Sequence, residues 1–231
     1  MVTNKDATLK KINKEFLKIS DLTLEQLEIL CKILEQNDPN ISTVVLKKLD
    51  KNELNINNLD IKLDNHIIKT IVLYQPLASE LRHLFALYKI VQNSERIADR
   101  VIKIVRLKQK IKDVELYAKI APKLNIIVLQ TIKMVDNAII SFKKNDKELA
   151  FTIMKEDIIF DDLNRDLLKT AVNEIEYRSD IQILLLSMTD LRSIISSLDR
   201  IGDHAKNIAE ATIYSIIGKN YMHQQIDENI E

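Results

Sequence analysis

Two pairs of acidic residues occupy equivalent places in the two halves of this 231-residue chain. Glu95 and Asp99 form the first pair, and Asp199 and Asp203 form the second. Four residues make about one turn of α-helix, so both carboxylates of a pair lie on one face. With 34 acidic residues in the chain, chance alone gives about five such pairs. The four-residue spacing therefore does not by itself indicate a functional site. The evidence for one is that both pairs occupy equivalent positions in the two halves.

A shift of 104 residues carries the first acidic pair onto the second, and it also aligns the residues that precede the two pairs. It carries Glu53 to Asp157 and Asn57 to Asp161. Self-similarity over most of the chain implies two copies of one unit, in which the preceding helix runs antiparallel beside the helix that bears the pair. In the second half this arrangement predicts a cluster of four carboxylates, the ligands that hard divalent or trivalent cations take. In the first half Asn57 offers only a neutral oxygen, which predicts a weaker site or none.

Two histidines near acidic residues are weaker candidates. His204 adjoins Asp203, but neighbouring residues of a helix point about 100° apart, so we do not expect both to reach one ion. The sequence Glu80-x-x-His83 matches half of a carboxylate-bridged di-iron signature. Such a centre needs two copies, and the sequence holds no second one.

The elements that must position these residues are helices. The chain has two glycines and three prolines, too few for the turns of a β-rich or α/β protein of this size. We expect six helices, near residues 5–36, 40–73, 76–109, 113–144, 146–176 and 180–218. The predicted fold is all-α, with two similar three-helix bundles packed side by side. The first unit would cover residues 1–109, the second residues 110–219, and residues 220–231 would form a polar tail.

Composition excludes several classes of protein. Basic and acidic residues balance to a net charge of zero, which removes the basic excess that non-specific nucleic-acid binding requires. A lone cysteine, Cys31, excludes an internal disulfide framework and a cysteine-based zinc site. The sequence predicts neither a signal peptide nor a direct membrane span. We expect a cytoplasmic protein.

Three motifs resemble those of the PhoU family. Residues 199–210, DRIGDHAKNIAE, are similar to the family signature (L)ERIGDxAxNIAE, and residues 95–99, ERIAD, are the first-half counterpart. Residues 75–82, QPLASELR, resemble the family stretch QPxAxDLR with glutamate for the usual aspartate. The resemblance extends from about Lys10 to Gly218 and includes the internal repeat.

This resemblance implies a two-unit helical bundle whose paired acidic motifs bind metal ions or small metal clusters. The implied ligands are Asp157, Asp161, Asp199 and Asp203 in the second half, and Glu53, Glu95 and Asp99 in the first, where Asn57 departs from the acidic pattern. Carboxylate ligands do not distinguish Mg, Mn, Fe and Zn, since all four metals accept oxygen.

The resemblance also implies a function. Members of the family restrain the phosphate-starvation response and phosphate uptake by linking a phosphate ABC transporter to a membrane sensor histidine kinase. The expected partners are therefore the transporter's ATPase subunit, the kinase and a second copy of the chain. No catalytic residue is attributed to the family, so we do not expect an enzyme. The implied location is cytoplasmic, or peripheral at the inner face of the membrane through these partners.

Two alternatives from other classes remain open. Paired carboxylates in a helical bundle also permit a metal-dependent oxidoreductase or hydrolase. A metal-free helical scaffold with solvated carboxylates is the third hypothesis, and unchanged stability without metal would favour it.

Overall fold

A computed structural model describes residues 4–156, 158, 160–175 and 180–218, without the side chains of residues 161, 174 and 175. Within these ranges the chain forms seven α-helices and no strand. The helices are α1 (Asn4–Glu35), α2 (Thr43–Tyr74), α3 (Ala78–Lys108), α4 (Val114–Lys144), α5 (Lys147–Lys155), α6 (Phe160–Ile175) and α7 (Ile181–Ile217). The all-α prediction is confirmed.

The helices pack as two bundles that lie side by side. Helices α1, α2 and α3 contact one another, and α4 and α7 pack together with α5 and α6. The bundles meet where α3 packs along α7 and α1 packs against α4. Buried leucine, isoleucine and valine side chains from both bundles form one continuous core. The predicted unit boundary at residues 109 and 110 falls in the connection between α3 and α4, and the predicted tail lies outside the described residues.

The prediction of six helices is wrong by one, because the expected helix over 146–176 is two helices. Helix α5 ends at Lys155, where Glu156 takes an extended conformation with ψ of 126°. Ile158 and Phe160 both pack against the core, yet two residues apart on one helix they would point about 200° apart. The break lets both side chains reach the core. No glycine or proline marks it.

Left-handed backbone closes several of the helices. Gln75, Asn145 and Gly218 end α2, α4 and α7 with φ of 44°, 51° and 79°. Ala78, at the start of α3, has φ of 44°. Two of these strained positions therefore flank the turn of the QPLASELR motif, and such strain persists only where the surrounding structure holds it.

Two of the helices, α4 and α7, are long and apolar enough by composition to cross a membrane. Both are central helices of the bundles, and core helices of globular proteins pass the same test. Their length and composition are therefore only weak evidence for a membrane-spanning segment.

Candidate metal centres

The predicted first-repeat residues lie along the facing sides of α2 and α3. Burial raises the pKa of Glu95, and the nearby charge of Asp99 raises it further. Burial also raises the pKa of Glu53, where Arg106 opposes the shift and Asp99 adds to it. The carboxylates of two helices thus lie close enough to repel one another. Asn57 lies one helical turn after Glu53 on α2, and its Oδ1 is buried with no hydrogen-bond partner among the described residues.

The structure adds two acidic residues that the sequence analysis missed. Asp60 and Asp64 lie on the same face of α2 as Glu53 and Asn57, at spacings of three and four residues. Burial raises the pKa of Asp60, and burial together with the charge of Asp60 raises the pKa of Asp64 to about 6. The Oδ1 atom of each is buried without a partner in the part of the chain that the structure describes.

The internal repeat does not mark these two residues. The second-half equivalents of Asp60 and Asp64 are Asn164 and Leu168, so the internal comparison passes over them. The available signal was the run of oxygen-bearing residues along one face of α2, independent of any repeat.

The chemistry of this groove fits a hard cation, although its side chains do not converge on one point. Carboxylate and amide oxygens are the donors that such cations take, although the charges of Arg106 and Arg96 act on Glu53 and Glu95. Yet among the residues described, no three His, Cys, Asp or Glu side chains come close enough to hold an ion. Metal binding in this groove would require side-chain rotations that draw the carboxylates together.

The second-repeat pair lines a small cavity. Asp199 and Asp203 face a space of about 40 Å³ that is also lined by Met134, Ile158, Phe160, Gly202 and the cationic Lys206. This volume suffices for a water-sized species. Arg200 Nη1 lies 3.1 Å from Asp203 Oδ2 and partly neutralises that carboxylate.

The other two predicted second-repeat ligands cannot be placed against this cavity. Asp157 lies outside the described residues, and so does the side chain of Asp161, whose backbone belongs to α6. The cavity adjoins the segment that carries both, since Ile158 and Phe160 line it. The four-carboxylate cluster stays a prediction.

His204 contacts the other bundle. Its Nδ1 lies 3.0 Å from Asn93 Oδ1 on α3, and Asn207 Nδ2 donates to the same oxygen over 3.2 Å. Burial lowers the pKa of His204 to about 4, and the charges of Arg96 and Arg100 act in the same direction. The imidazole is therefore neutral at physiological pH and joins α7 to α3.

The Glu80-x-x-His83 motif also has other contacts. The His83 ring stacks on Phe142 with centroids 4.9 Å apart, and its Nδ1 lies 3.3 Å from Ser215 Oγ. Glu80 forms an ion pair with Lys5. These contacts use the two side chains separately and give no support to a di-iron centre.

The fold and its acidic pairs define a class: all-α proteins of two similar helical bundles, each with an acidic pair on its last helix, α3 or α7. A family model described as PhoU domain matches residues 16–107 and 126–212. These ranges cover most of both bundles, so the chain belongs to the PhoU family.

Relatives and solved structures agree with this assignment. The phosphate-specific transport system accessory protein PhoU homolog of Clostridium acetobutylicum is 25% identical over 97% of both chains. The accessory protein PhoU of Escherichia coli is 25% identical over 96% of this chain and 89% of its own. The crystal structure of PhoU from Pseudomonas aeruginosa is 26% identical, covers 93% of this chain and 99% of its own, and superposes with a TM-score of 0.75.

Proposed function

We propose that this protein is an accessory protein of a phosphate-specific transport system and that it acts as a negative regulator. The observation that supports the proposal is the PhoU-domain match in both bundles, together with relatives that align over nearly the whole chain and are phosphate-specific transport system accessory proteins. The protein would restrain phosphate uptake and the phosphate-starvation response by linking a phosphate ABC transporter, through its ATPase subunit, to a sensor histidine kinase. It would act in the cytoplasm or at the inner face of the membrane, and as a homodimer.

Deletion of the gene in the source organism tests the regulatory role. We expect phosphate-starvation genes to be expressed in phosphate-rich medium, because the kinase loses its restraint, and we expect the intact gene to restore repression. Reporter expression in high phosphate measures this. Unchanged expression after deletion would contradict negative regulation.

We further propose that the carboxylates of each repeat bind metal ions that organise a partner-binding surface. Support comes from donor chemistry: α2 and α3 bring together carboxylates whose pKa values are raised by burial and by one another, and Asp199 and Asp203 line a cavity beside Ile158 and Phe160. A bound divalent or trivalent cation would neutralise this charge. Mg, Mn, Fe and Zn are all compatible with oxygen ligands.

Elemental analysis of the purified protein tests the metal proposal. We expect near-stoichiometric metal for each repeat in the native chain and a lower metal content in Asp199→Ala/Asp203→Ala, because the second repeat loses two of its oxygen donors. A matched control is Asp21→Ala/Glu25→Ala, which removes an acidic pair of the same spacing from α1. Those two carboxylates pair with Lys143 and Lys48 and lie outside the repeated acidic motifs, so we expect no loss. Metal at background level in native protein from metal-replete medium would contradict the proposal.

Metal content, together with stability on chelation and assays for turnover, separates the remaining hypotheses. The metal-free scaffold is favoured by the lack of a converged three-residue group in the described ranges, and it predicts no metal and no change in stability on chelation. The metal-dependent enzyme predicts metal together with turnover of a substrate. The helical accessory-protein family supports a non-enzymatic adaptor, so we expect metal without turnover.

A further inference from the structure

The outer face of α2 carries an apolar stripe that nothing in the described structure covers. Leu54, Ile61, Ile68 and Val72 are 62%, 61%, 56% and 67% exposed. The inner face of the same helix already contributes Ile56, Leu59, Leu63 and Ile67 to the core. An exposed apolar row of this kind marks an interaction surface.

The stripe has the spacing of a coiled-coil seam. Leu54, Ile61 and Ile68 recur every seven residues at one seam position, d, and Asn58, Asn65 and Val72 recur at the other, a. The asparagines at the a position are exposed. The seam spans about 30 Å of helix, at 1.5 Å of rise per residue.

We propose that this seam pairs, parallel and in register, with α2 of a second copy of the chain. The asparagines favour this arrangement, since parallel pairing places each a residue opposite its own copy. Asn58 and Asn65 would each meet the same amide across the two-fold axis and could exchange hydrogen bonds with it. An antiparallel pair would set these amides against apolar d residues and would allow no hydrogen bond between them, although Asn65 Nδ2 donates to the Ile61 carbonyl of its own helix in either case.

Charges beside the seam favour the same orientation. Over the length of the seam, position e on one flank holds Asn55, Lys62 and Lys69, and position g on the other holds Asn57 and Asp64. Lys62 also pairs with Glu15 of its own chain. In a parallel pair the e residues of one helix face the g residues of the other. Lys69 of the second copy therefore approaches Asp64, which is partly exposed where the seam borders the groove between α2 and α3. In an antiparallel pair the lysines would face lysines, which is repulsive.

This inference deepens the homodimer part of the proposed function and names its surface. A helix pair over three heptads is small beside the interfaces of permanent dimers, so we expect a dissociation constant in the micromolar range.

Sedimentation of the full chain tests the surface. It should show dimers whose affinity the variant Ile61→Lys/Ile68→Lys lowers by about tenfold or more, since the variant buries two charges in the seam. The control Ile126→Lys/Leu129→Lys changes equally exposed residues of α4, 58% and 55% exposed, and should leave the dimer intact. Circular dichroism confirms that both variants fold.

Cysteine cross-linking tests the register in a Cys31→Ala chain. We expect Asn58→Cys and Asn65→Cys each to form an intermolecular disulfide on mild oxidation, because each lies opposite itself, and Ile126→Cys to form none. A dimeric chain in which neither cysteine cross-links overturns the seam but not the homodimer. A chain that stays monomeric at high micromolar concentration overturns both, and leaves the deletion experiment on phosphate regulation unaffected.

Discussion

Lys108 is a buried cation at the place where α1, α3 and α4 meet. Its side chain is 1% exposed, and its Nζ lies 3.2 Å from the centroid of the Tyr117 ring. Burial lowers the pKa of Lys108 to about 8, although the charge of Asp38 raises it. The Tyr117 hydroxyl donates to the backbone carbonyl of Leu34. The cation–π contact therefore only partly offsets the loss of water around the ammonium group.

We predict that Lys108→Met raises the free energy of unfolding by about 1–3 kcal/mol at pH 7, because an apolar side chain of similar length removes the buried charge. In the chain without the substitution, Lys108 binds a proton more tightly in the unfolded state than in the folded state. Between pH 8 and 10.5 the free energy of unfolding therefore rises with pH. The advantage of the variant should shrink over the same window. Urea unfolding from pH 7 to 10.5 measures it, with the exposed Lys103→Met as control. Equal stability of both variants at pH 7 would contradict the prediction.

The start of helix α4 is hydrogen-bonded to the start of helix α7. The Asp113 side chain, 3% exposed, accepts a hydrogen bond of 2.9 Å from the backbone N–H of Leu116. The Asp113 and Lys112 N–H groups donate to Ser187 Oγ on α7 over 3.0 and 3.3 Å. The start of α4 is thereby fixed to the first turns of α7.

We predict that Asp113→Ala lowers the free energy of unfolding by about 1–2 kcal/mol, since the first turn of α4 loses its cap in a buried place. Asp113→Asn keeps a side-chain oxygen and should lose less than half as much. Chemical denaturation at neutral pH compares the two. If the asparagine variant were as unstable as the alanine variant, the cap would not be the source of the stability.

At the scale of the whole molecule, the two repeats depend on each other. Helices α3 and α7 run along one another, and Asn93 of α3 bonds both His204 and Asn207 of α7. Apolar residues of both helices, among them Ile97 and Ile201, are fully buried in one common core. A single repeat would expose this surface to water.

We predict that the fragments 1–109 and 110–231 do not form stable monomers alone, and that mixing or co-expressing them restores a native-like complex. Each isolated fragment should bind a hydrophobic dye and unfold without a cooperative transition, because part of its core is missing. Dye fluorescence and thermal unfolding, compared with the intact chain, measure this. Cooperative unfolding of the fragment 1–109 with little dye binding would show instead that the repeats are independent domains.

Much of this architecture follows from local features of the sequence. Scarcity of glycine and proline restricts the chain to long helices, because few positions can adopt the turns of a sheet. The helical period places Glu95 with Asp99 and Asp199 with Asp203 on one face whatever the packing. The internal repeat and the three motifs then predict the two bundles, and the fold confirms them.

Contacts between helices were decided only by the tertiary structure. Asp60 and Asp64 join the first groove because α2 turns that face towards α3, and His204 meets Asn93 because α7 lies along α3. The break between α5 and α6 arises because Ile158 and Phe160 both reach the core. A sequence determines which residues share one helix face, since that depends on a fixed period. Which faces meet depends on how all the side chains of both bundles fill a common core.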